Sequence, residues 1–348
     1  MRWLEAAQNG DVEELDRIVR TGANVNSLVD DAHGTPLHYV AAAGHAKALQ
    51  FLLSQNAVID SKDKYGRTPL YMAVLRRQAV SAEILLDNKA NPDAACQCGT
   101  TAVSKAAEHG DVAILELLLQ NSARIDTENI DGETPEDLAQ HNGHDAVLAR
   151  FRYYKTQRLR SFWKAAQRGS VTEMRRLVDS GVNAQGRDLQ GHSALDLAAQ
   201  NGHREAVLFL LHDVGVNAAE ANSRGITALH WAAQHGHEAV VDLLLEYGAP
   251  LDAADRTMMR PLHRAAERGH DAVINTIWNH RNQGEEVNLD ILGPNGVTPL
   301  MLAARHGRKT TVQLLLHLGA DPSLEDGRGE TARAKAWANG HADVMNLL

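Results

Sequence analysis

The stretch "GTPLHYVAAAGH" at residues 34–45 contains a turn, a helix start and a helix stop. Gly34 supports the turn, and the hydroxyl of Thr35 suits the N-cap of a helix, where it accepts a hydrogen bond from a free amide. Pro36 at the first helical position has the required φ and no N–H to leave unpaired. Since Gly44 then ends the segment, the stretch predicts one short helix.

Related stretches recur along the chain, most of them 33 or 34 residues apart. The anchor position is held by Thr35, Thr68, Thr101, Thr134, Ser193, Thr227, Arg260, Thr298 and Thr331. A second helix with one apolar face is predicted after each first helix, as in "EAVVDLLLEYGA" at residues 238–249. One such unit cannot bury its apolar face, whereas a stack of units can. The sequence therefore predicts an all-α helical repeat solenoid.

The repeated pattern closely resembles the ankyrin repeat family, whose T-P-L-H-x-A signature matches at residues 35–38 and less completely elsewhere. The resemblance covers nearly the whole chain and implies about eleven helix-turn-helix repeats joined by β-hairpin-like loops. It also implies a concave groove that binds a partner protein.

Two segments without T-P-L-H resemble each other more than either resembles the other repeats: residues 3–26 and residues 162–183. Both have the character of first repeats. We therefore expect two arrays, an N-terminal one at residues 1–154 with about five repeats and a C-terminal one at residues 155–348 with about six.

The junction "RFRYYKTQRLRSFW" at residues 150–163 lies in a segment, residues 145–168, that contains no Gly or Pro. The anchor interval from Thr134 to its equivalent at Arg160 is only 26 residues, so one hairpin loop is missing. We predict one continuous helix over residues 145–168, about 36 Å long, which sets the two arrays at an angle.

Five aromatic side chains of this junction are expected to pack at an elbow between the arrays: Phe151, Tyr153, Tyr154, Phe162 and Trp163. Basic side chains interleave with them and are expected to snorkel toward water. The alternative is that the elbow holds an anionic or peptide ligand.

Charge and hydropathy exclude several classes of protein. The net charge is −9, with 22 acidic and 14 basic residues at 1–154 and 22 and 21 at 155–348, so a general nucleic-acid binder is not expected. The apolar runs are too short for a membrane span, and no signal peptide is evident. We expect a soluble, cytoplasmic protein, with a nuclear location also open.

Cys96 and Cys98 are too close in sequence to staple the fold, and they suit a reducing compartment. They lack partners for a metal site, so no cofactor is expected.

The resemblance implies that partner contacts come from the turn tips and from the positions before each helix-ending glycine. In the C-terminal array these are Arg168, His192, Arg224, Gln234, His235, Arg256, Glu267, Arg268, Arg305, His306 and Arg328; in the N-terminal array they include Tyr65, Arg67 and Arg76. Because arginine binds carboxylates in a bidentate way, we expect an acidic peptide or protein segment as partner. The alternative is that these residues are an ordinary solvated surface.

Nine of the 18 histidines occupy the T-P-L-H or G-H positions, where we expect them to link neighbouring turns. No catalytic motif is present, so an adaptor is expected. An enzyme or small-molecule binder, acting in the groove or at the elbow, is the alternative, with His235, Glu267, Arg268 and His306 available for acid-base chemistry.

A longer loop within residues 277–296 could serve a partner or be a plain insertion. The apolar ending "VMNLL" suggests that the natural chain continues beyond Leu348.

Overall fold

The computed structural model describes residues 2–280 and 287–348, which form two compact units, Met1–Gln157 and Arg158–Leu348. Part of the predicted long loop, residues 281–286, lies outside the described residues. Throughout the described part the regular structure is helical and contains no β-strand. The predicted all-α solenoid of ankyrin type is confirmed.

The helices follow one another in pairs, a short first helix and a second helix in each repeat. In the first unit they are α1 (Arg2–Asn9), α2 (Val12–Arg20), α3 (Pro36–Ala43), α4 (Ala46–Ser54), α5 (Pro69–Leu75), α6 (Ala79–Asp87), α7 (Ala102–Glu108), α8 (Val112–Gln120) and α9 (Pro135–His141). The helix α10 (Asp145–Arg168) begins in the first unit and ends in the second. The second unit continues with α11 (Val171–Asp179), α12 (Ala194–Gln200), α13 (Arg204–Leu208), α14 (Ala228–His235), α15 (Glu238–Glu246), α16 (Pro261–Arg268), α17 (Asp271–Asn279), α18 (Pro299–Arg305), α19 (Lys309–Leu318), α20 (Ala332–Ala338) and α21 (Ala342–Met345). A π-helical turn, Phe209–Asp213, extends α13, and a 3-10 turn, Pro294–Gly296, precedes α18.

The first helices begin and end as their sequences predict. The Thr68 hydroxyl accepts a hydrogen bond from the Tyr71 amide at 3.2 Å, and Pro69 opens α5. Such an N-cap typically stabilises a helix by about 1 kcal/mol. At the other end, Gly236 closes α14 with φ +77°, a left-handed conformation that costs glycine little.

Helices stack in two rows within each unit. The first helices contact one another in the series α1, α3, α5, α7, α9 and again in the series α12, α14, α16, α18, α20. The paired alanines of these helices, such as Ala232 and Ala233, are fully buried and allow the close approach. Each unit has its own apolar core, which the second helices complete.

Histidines at the G-H positions join successive repeats, as the sequence predicted. The Nε2 atom of His270 lies 3.0 Å from the Gln234 carbonyl of the preceding repeat, and the imidazole covers Gly236. The same contact recurs from His237 to the Gln200 carbonyl at 2.9 Å. These rings therefore link each repeat to the one before it.

The loops between repeats are turns held by one acidic or amide side chain. Asp63 Oδ1 accepts hydrogen bonds from the amides of Tyr65 and Arg67, each at 2.9 Å. The loops also bond to one another, because the Lys64 amide donates to the Ala32 carbonyl at 2.9 Å. Bonds of this kind link some successive loops in each unit.

Cys96 occupies, in the third loop, the place that Asp63 holds in the loop before it. The sequence suggested two reduced thiols, but the structure places Cys96 and Cys98 in a disulfide bond. The bond links two residues of one turn, and therefore constrains only that turn, as expected from their spacing.

The aromatic side chains of α10 divide between the two cores. Phe151 is 1% exposed in the core of the first unit, where the Tyr154 hydroxyl also donates to the Leu119 carbonyl at 2.7 Å. Phe162 is fully buried in the core of the second unit, and the Trp163 indole N–H donates to the Gly186 carbonyl at 3.1 Å. Each of these four side chains is therefore accounted for by packing within one unit.

Candidate partner-binding site

The surface of the second unit formed by its loop tips and the C-terminal ends of its first helices is called the inner face here. It carries six exposed arginines, which are Arg168, Arg224, Arg256, Arg268, Arg305 and Arg328. None of the six guanidinium groups has a carboxylate partner among the described residues. The face therefore presents positive charge that the described part of the chain leaves without an ion pair.

The acidic side chains of the inner face are paired with other groups. Glu267 Oε1 lies 3.6 Å from His306 Nε2, and Glu330 Oε2 lies 2.9 Å from the Lys335 ammonium. Lys335 also binds the buried Asp326 at 2.6 Å. Glu267 and Glu330 therefore form no ion pair with the six arginines.

Other arginines of the second unit hold the scaffold together. Arg264 pairs with the buried Asp255 at 2.7 Å, and Arg187 bridges Asp196 and Glu220 at 3.1 and 2.8 Å. The sequence placed the six arginines at turn tips and helix ends, but it could not separate paired from unpaired side chains. The separation rests on which carboxylate each side chain reaches in the folded chain.

A short row of rings runs across the inner face. Trp231 meets His192 edge-on, with ring centroids 5.2 Å apart, and lies 6.3 Å from the ring of His235. Trp231 is half-buried on α14, so it packs in the stack and also contributes apolar surface. The backbone carbonyl of Gln234, next to His235, bonds to the His270 ring, and this leaves the Gln234 side chain available to the inner face.

In the first unit, the residues singled out from the sequence do not form one cationic patch. Arg67 pairs with Asp63 at 2.7 Å and lies over the Tyr65 ring, 4.6 Å from its centroid. Tyr65 is 48% exposed at a loop tip, and Arg76 is exposed at the end of α5. Of these two arginines, only Arg76 has no ion pair among the described residues.

A cavity of about 360 Å³ lies at the start of the inner face and was not predicted from the sequence. It is lined by Arg160, Trp163, Lys164 and Gln167 of α10, by Asp188, Gln190 and His192 of a loop, and by Leu197 and Gln200 of α12. The four α10 residues follow helical spacing, which was the signal that could have shown their common face.

Of the groups proposed for acid-base chemistry, Glu267 and His306 come together. They lie on an open surface, with side-chain exposures of 26% and 38%. Burial lowers the pKa of His306, although nearby Glu267 opposes this effect. Among the described residues no cluster of three or more metal-binding side chains occurs, and no helix there could cross a bilayer.

The buried histidines of the T-P-L-H positions have lowered pKa values because burial disfavours the charged imidazole. His230 Nδ1 accepts from the Thr227 hydroxyl at 2.9 Å, but His263 has Arg260 in place of threonine. Its Nδ1 is buried without a partner among the described residues, and its pKa falls to about 4.

We expect His263 to make the second unit less stable as the pH falls. Because its pKa is about 4 in the folded chain and about 6.5 in the unfolded chain, the unfolded state binds the extra proton between these values. Met301 holds the equivalent position in the next repeat, so methionine is the substitute for His263. Between pH 7 and pH 5, the unfolding free energy of the parent chain should fall by about 2 kcal/mol more than that of His263→Met. Urea denaturation at both pH values measures this. His317→Gln, at an exposed site, is the control, and an unchanged pH slope in His263→Met would contradict the expectation.

Comparison with known proteins gives one family across the chain. The model for ankyrin repeats (three copies) matches residues 3–96, 81–157, 154–220, 212–290, 251–326 and 278–348. The ankyrin repeat-containing protein YIL001W of Saccharomyces cerevisiae is 38% identical over 60 residues. That match covers 17% of this chain and 11% of the relative.

Proposed function

Because this chain belongs to the ankyrin repeat family, we propose that it is a protein-binding module whose second unit binds an acidic peptide or protein segment on its inner face. Ankyrin repeats generally mediate protein–protein interaction, and no cofactor is needed for that role. The observation that carries the proposal is the row of six exposed arginines without carboxylate partners in the described structure.

The charge of this face favours a carboxylate-rich partner. Residues 155–348 have nearly balanced charge, 22 acidic against 21 basic side chains, yet the six arginines of the inner face form no ion pair within the described structure. Guanidinium groups form bidentate hydrogen bonds with carboxylates, which gives both attraction and orientation. The rings of Trp231 and His192 supply apolar contact area between the charges.

The proposal is tested by reversing three of these charges. We expect Arg224→Glu, Arg256→Glu and Arg268→Glu together to weaken partner binding about 100-fold, at roughly 1 kcal/mol for each exposed charge. Affinity capture from the native host, quantified by mass spectrometry, compares this variant with the parent chain.

A matched control makes the same change of net charge elsewhere on the second unit. Arg204→Glu, Lys309→Glu and Arg333→Glu alter exposed residues that lie outside the inner face. The control should retain the captured proteins. Equal capture by the parent chain and both variants would contradict the inner face as the binding site.

We also propose that the two compact units correspond to two arrays of about five and six repeats. The two separate apolar cores support this division, as do the similar sequences at residues 3–26 and 162–183.

A further inference from the structure

The first loop of the second unit makes no ladder bond to a loop before it. Where such a bond is present, the second residue of a loop donates its amide to the preceding loop, as Arg256 does to the Arg224 carbonyl at 2.8 Å. In the loop of residues 188–192 that residue is Leu189, and the helices α10 and α11 precede this loop in the unit, with no loop of the same kind before them. The Leu189 amide meets no acceptor among the described residues. The ladder of the second unit therefore starts with an open position.

Leu189 is also the most exposed large apolar residue of the described chain, at 98%. Its turn is nevertheless well formed. The Gly191 amide donates to the Asp188 carbonyl at 2.9 Å, and Asp188 Oδ1 accepts from the amides of Gln190 and His192 at 2.9 and 2.8 Å. An ordered turn thus presents both an apolar side chain and a free amide.

The cavity of about 360 Å³ adjoins this turn and has an excess of positive charge. Arg160 and Lys164 line it from α10, are exposed, and have no carboxylate partner among the described residues. The one acidic residue of the lining, Asp188, is engaged by its turn and by His192 Nδ1 at 3.2 Å. Trp163 and Leu197 give the cavity an apolar side.

We propose that this turn and cavity anchor an extended acidic segment of a partner protein. A backbone carbonyl of the segment accepts a hydrogen bond from the Leu189 amide, as in recognition by strand addition. A carboxylate of the segment binds Arg160 and Lys164, and an apolar side chain next to it packs on Leu189 and Trp163. This inference rests on the proposed function, because it gives the segment on the inner face a defined end.

The probe for this proposal is a phage-displayed library of random 12-residue peptides selected on the full chain. We expect the selected peptides to be enriched in Asp and Glu with an apolar residue next to an acid. The dissociation constant of a fluorescein-labelled selected peptide is then measured by anisotropy for the parent chain and for each variant.

The charged half of the anchor is tested with Arg160→Gln combined with Lys164→Gln. These changes keep side chains that favour helix in α10 and remove two positive charges from the cavity. We expect the dissociation constant to rise 10- to 100-fold. Arg204→Gln combined with Lys309→Gln is the matched control, and there the constant should stay within about twofold.

The backbone half is tested by comparing Leu189→Pro with Leu189→Ala. Leu189 is the second residue of a four-residue turn whose two central residues have negative φ, a position that accepts proline. Both variants remove the apolar side chain, but only proline removes the amide hydrogen. We expect Leu189→Pro to bind about 10-fold more weakly than Leu189→Ala, while circular dichroism shows the same helix content.

The outcomes separate this inference from the proposed function. Equal binding by the proline and alanine variants, together with no effect of the two glutamine changes, overturns the anchor. If such peptides still lose affinity when Arg224, Arg256 and Arg268 become Glu, the proposed function stands without it. A selection with no enrichment of Asp and Glu overturns both.

Discussion

Phe162→Ala should lower the unfolding free energy of the second unit by about 3 to 5 kcal/mol, because the ring is fully buried in that core and its removal leaves a cavity. Phe151→Ala should have a loss of similar size in the first unit, where the ring is 1% exposed. Both residues lie on the single helix α10, so the comparison shows whether each core responds separately.

Hydrogen exchange followed by mass spectrometry measures the two responses separately, since each peptide reports on one unit. Phe162→Ala should speed exchange mainly in α12 to α15, and Phe151→Ala mainly in α6 to α8, since a repeat array couples chiefly to its nearest neighbours. Tyr153→Ala, on the same helix but 54% exposed, should change stability by less than about 0.5 kcal/mol. Equal acceleration throughout both units by either phenylalanine variant would contradict the separation of the cores.

Gly236→Ala is expected to destabilise the second unit by about 3 kcal/mol. Alanine pays roughly 1 to 2 kcal/mol at the left-handed φ of +77°. Its Cβ would also lie 2.6 Å from Nδ1 of His270, so the ring must move and weaken its bond to the Gln234 carbonyl. A lost hydrogen bond of this kind adds about 1 kcal/mol.

Gly248→Ala is the matched control for this effect. Gly248 has the same φ of +77°, but a Cβ there meets no atom within 4 Å. Urea denaturation should therefore show that Gly248→Ala lowers the unfolding free energy by about 1 to 2 kcal/mol. The further loss that comes from the contact with His270 should appear only in Gly236→Ala. Equal losses in the two variants would show that the contact with His270 contributes nothing.

The chain contains a natural example of the same constraint. Arg77 occupies the corresponding position after α5 with φ +57°, and the facing residue of the next repeat is Asp111 instead of histidine. The Arg77 Nε donates to Asp111 Oδ2 at 3.3 Å. A side chain is thus accommodated where the imidazole is absent.

The repeat fold was predictable because its determinants lie close together in the sequence. The Thr35 hydroxyl meets His38 Nδ1 at 2.9 Å only three residues away, and Gly44 ends the same helix. Such local signals recur in register every 33 or 34 residues, so they specify both the helices and their serial stacking.

The candidate site was predictable only in part. The sequence predicted that arginines would line one face, and the structure shows that Arg224, Arg256 and Arg268 are exposed. It could not show that Arg67 is bound by Asp63, nor that the loop of Leu189 has an open amide beside a cationic cavity. These properties depend on which groups meet across repeats.

The type of each helix, the period of the stack and the histidines that join its repeats follow from the sequence alone, because caps, glycines and apolar faces act over a few residues. Which charged side chains are paired, and how the aromatic residues of α10 are shared between two cores, depends on the folded chain. Arg67 and Arg256 were both predicted at turn tips, but only Arg67 reaches a carboxylate, that of Asp63. The energy of a charged or aromatic side chain depends on its neighbours in space, and the sequence order does not list those neighbours.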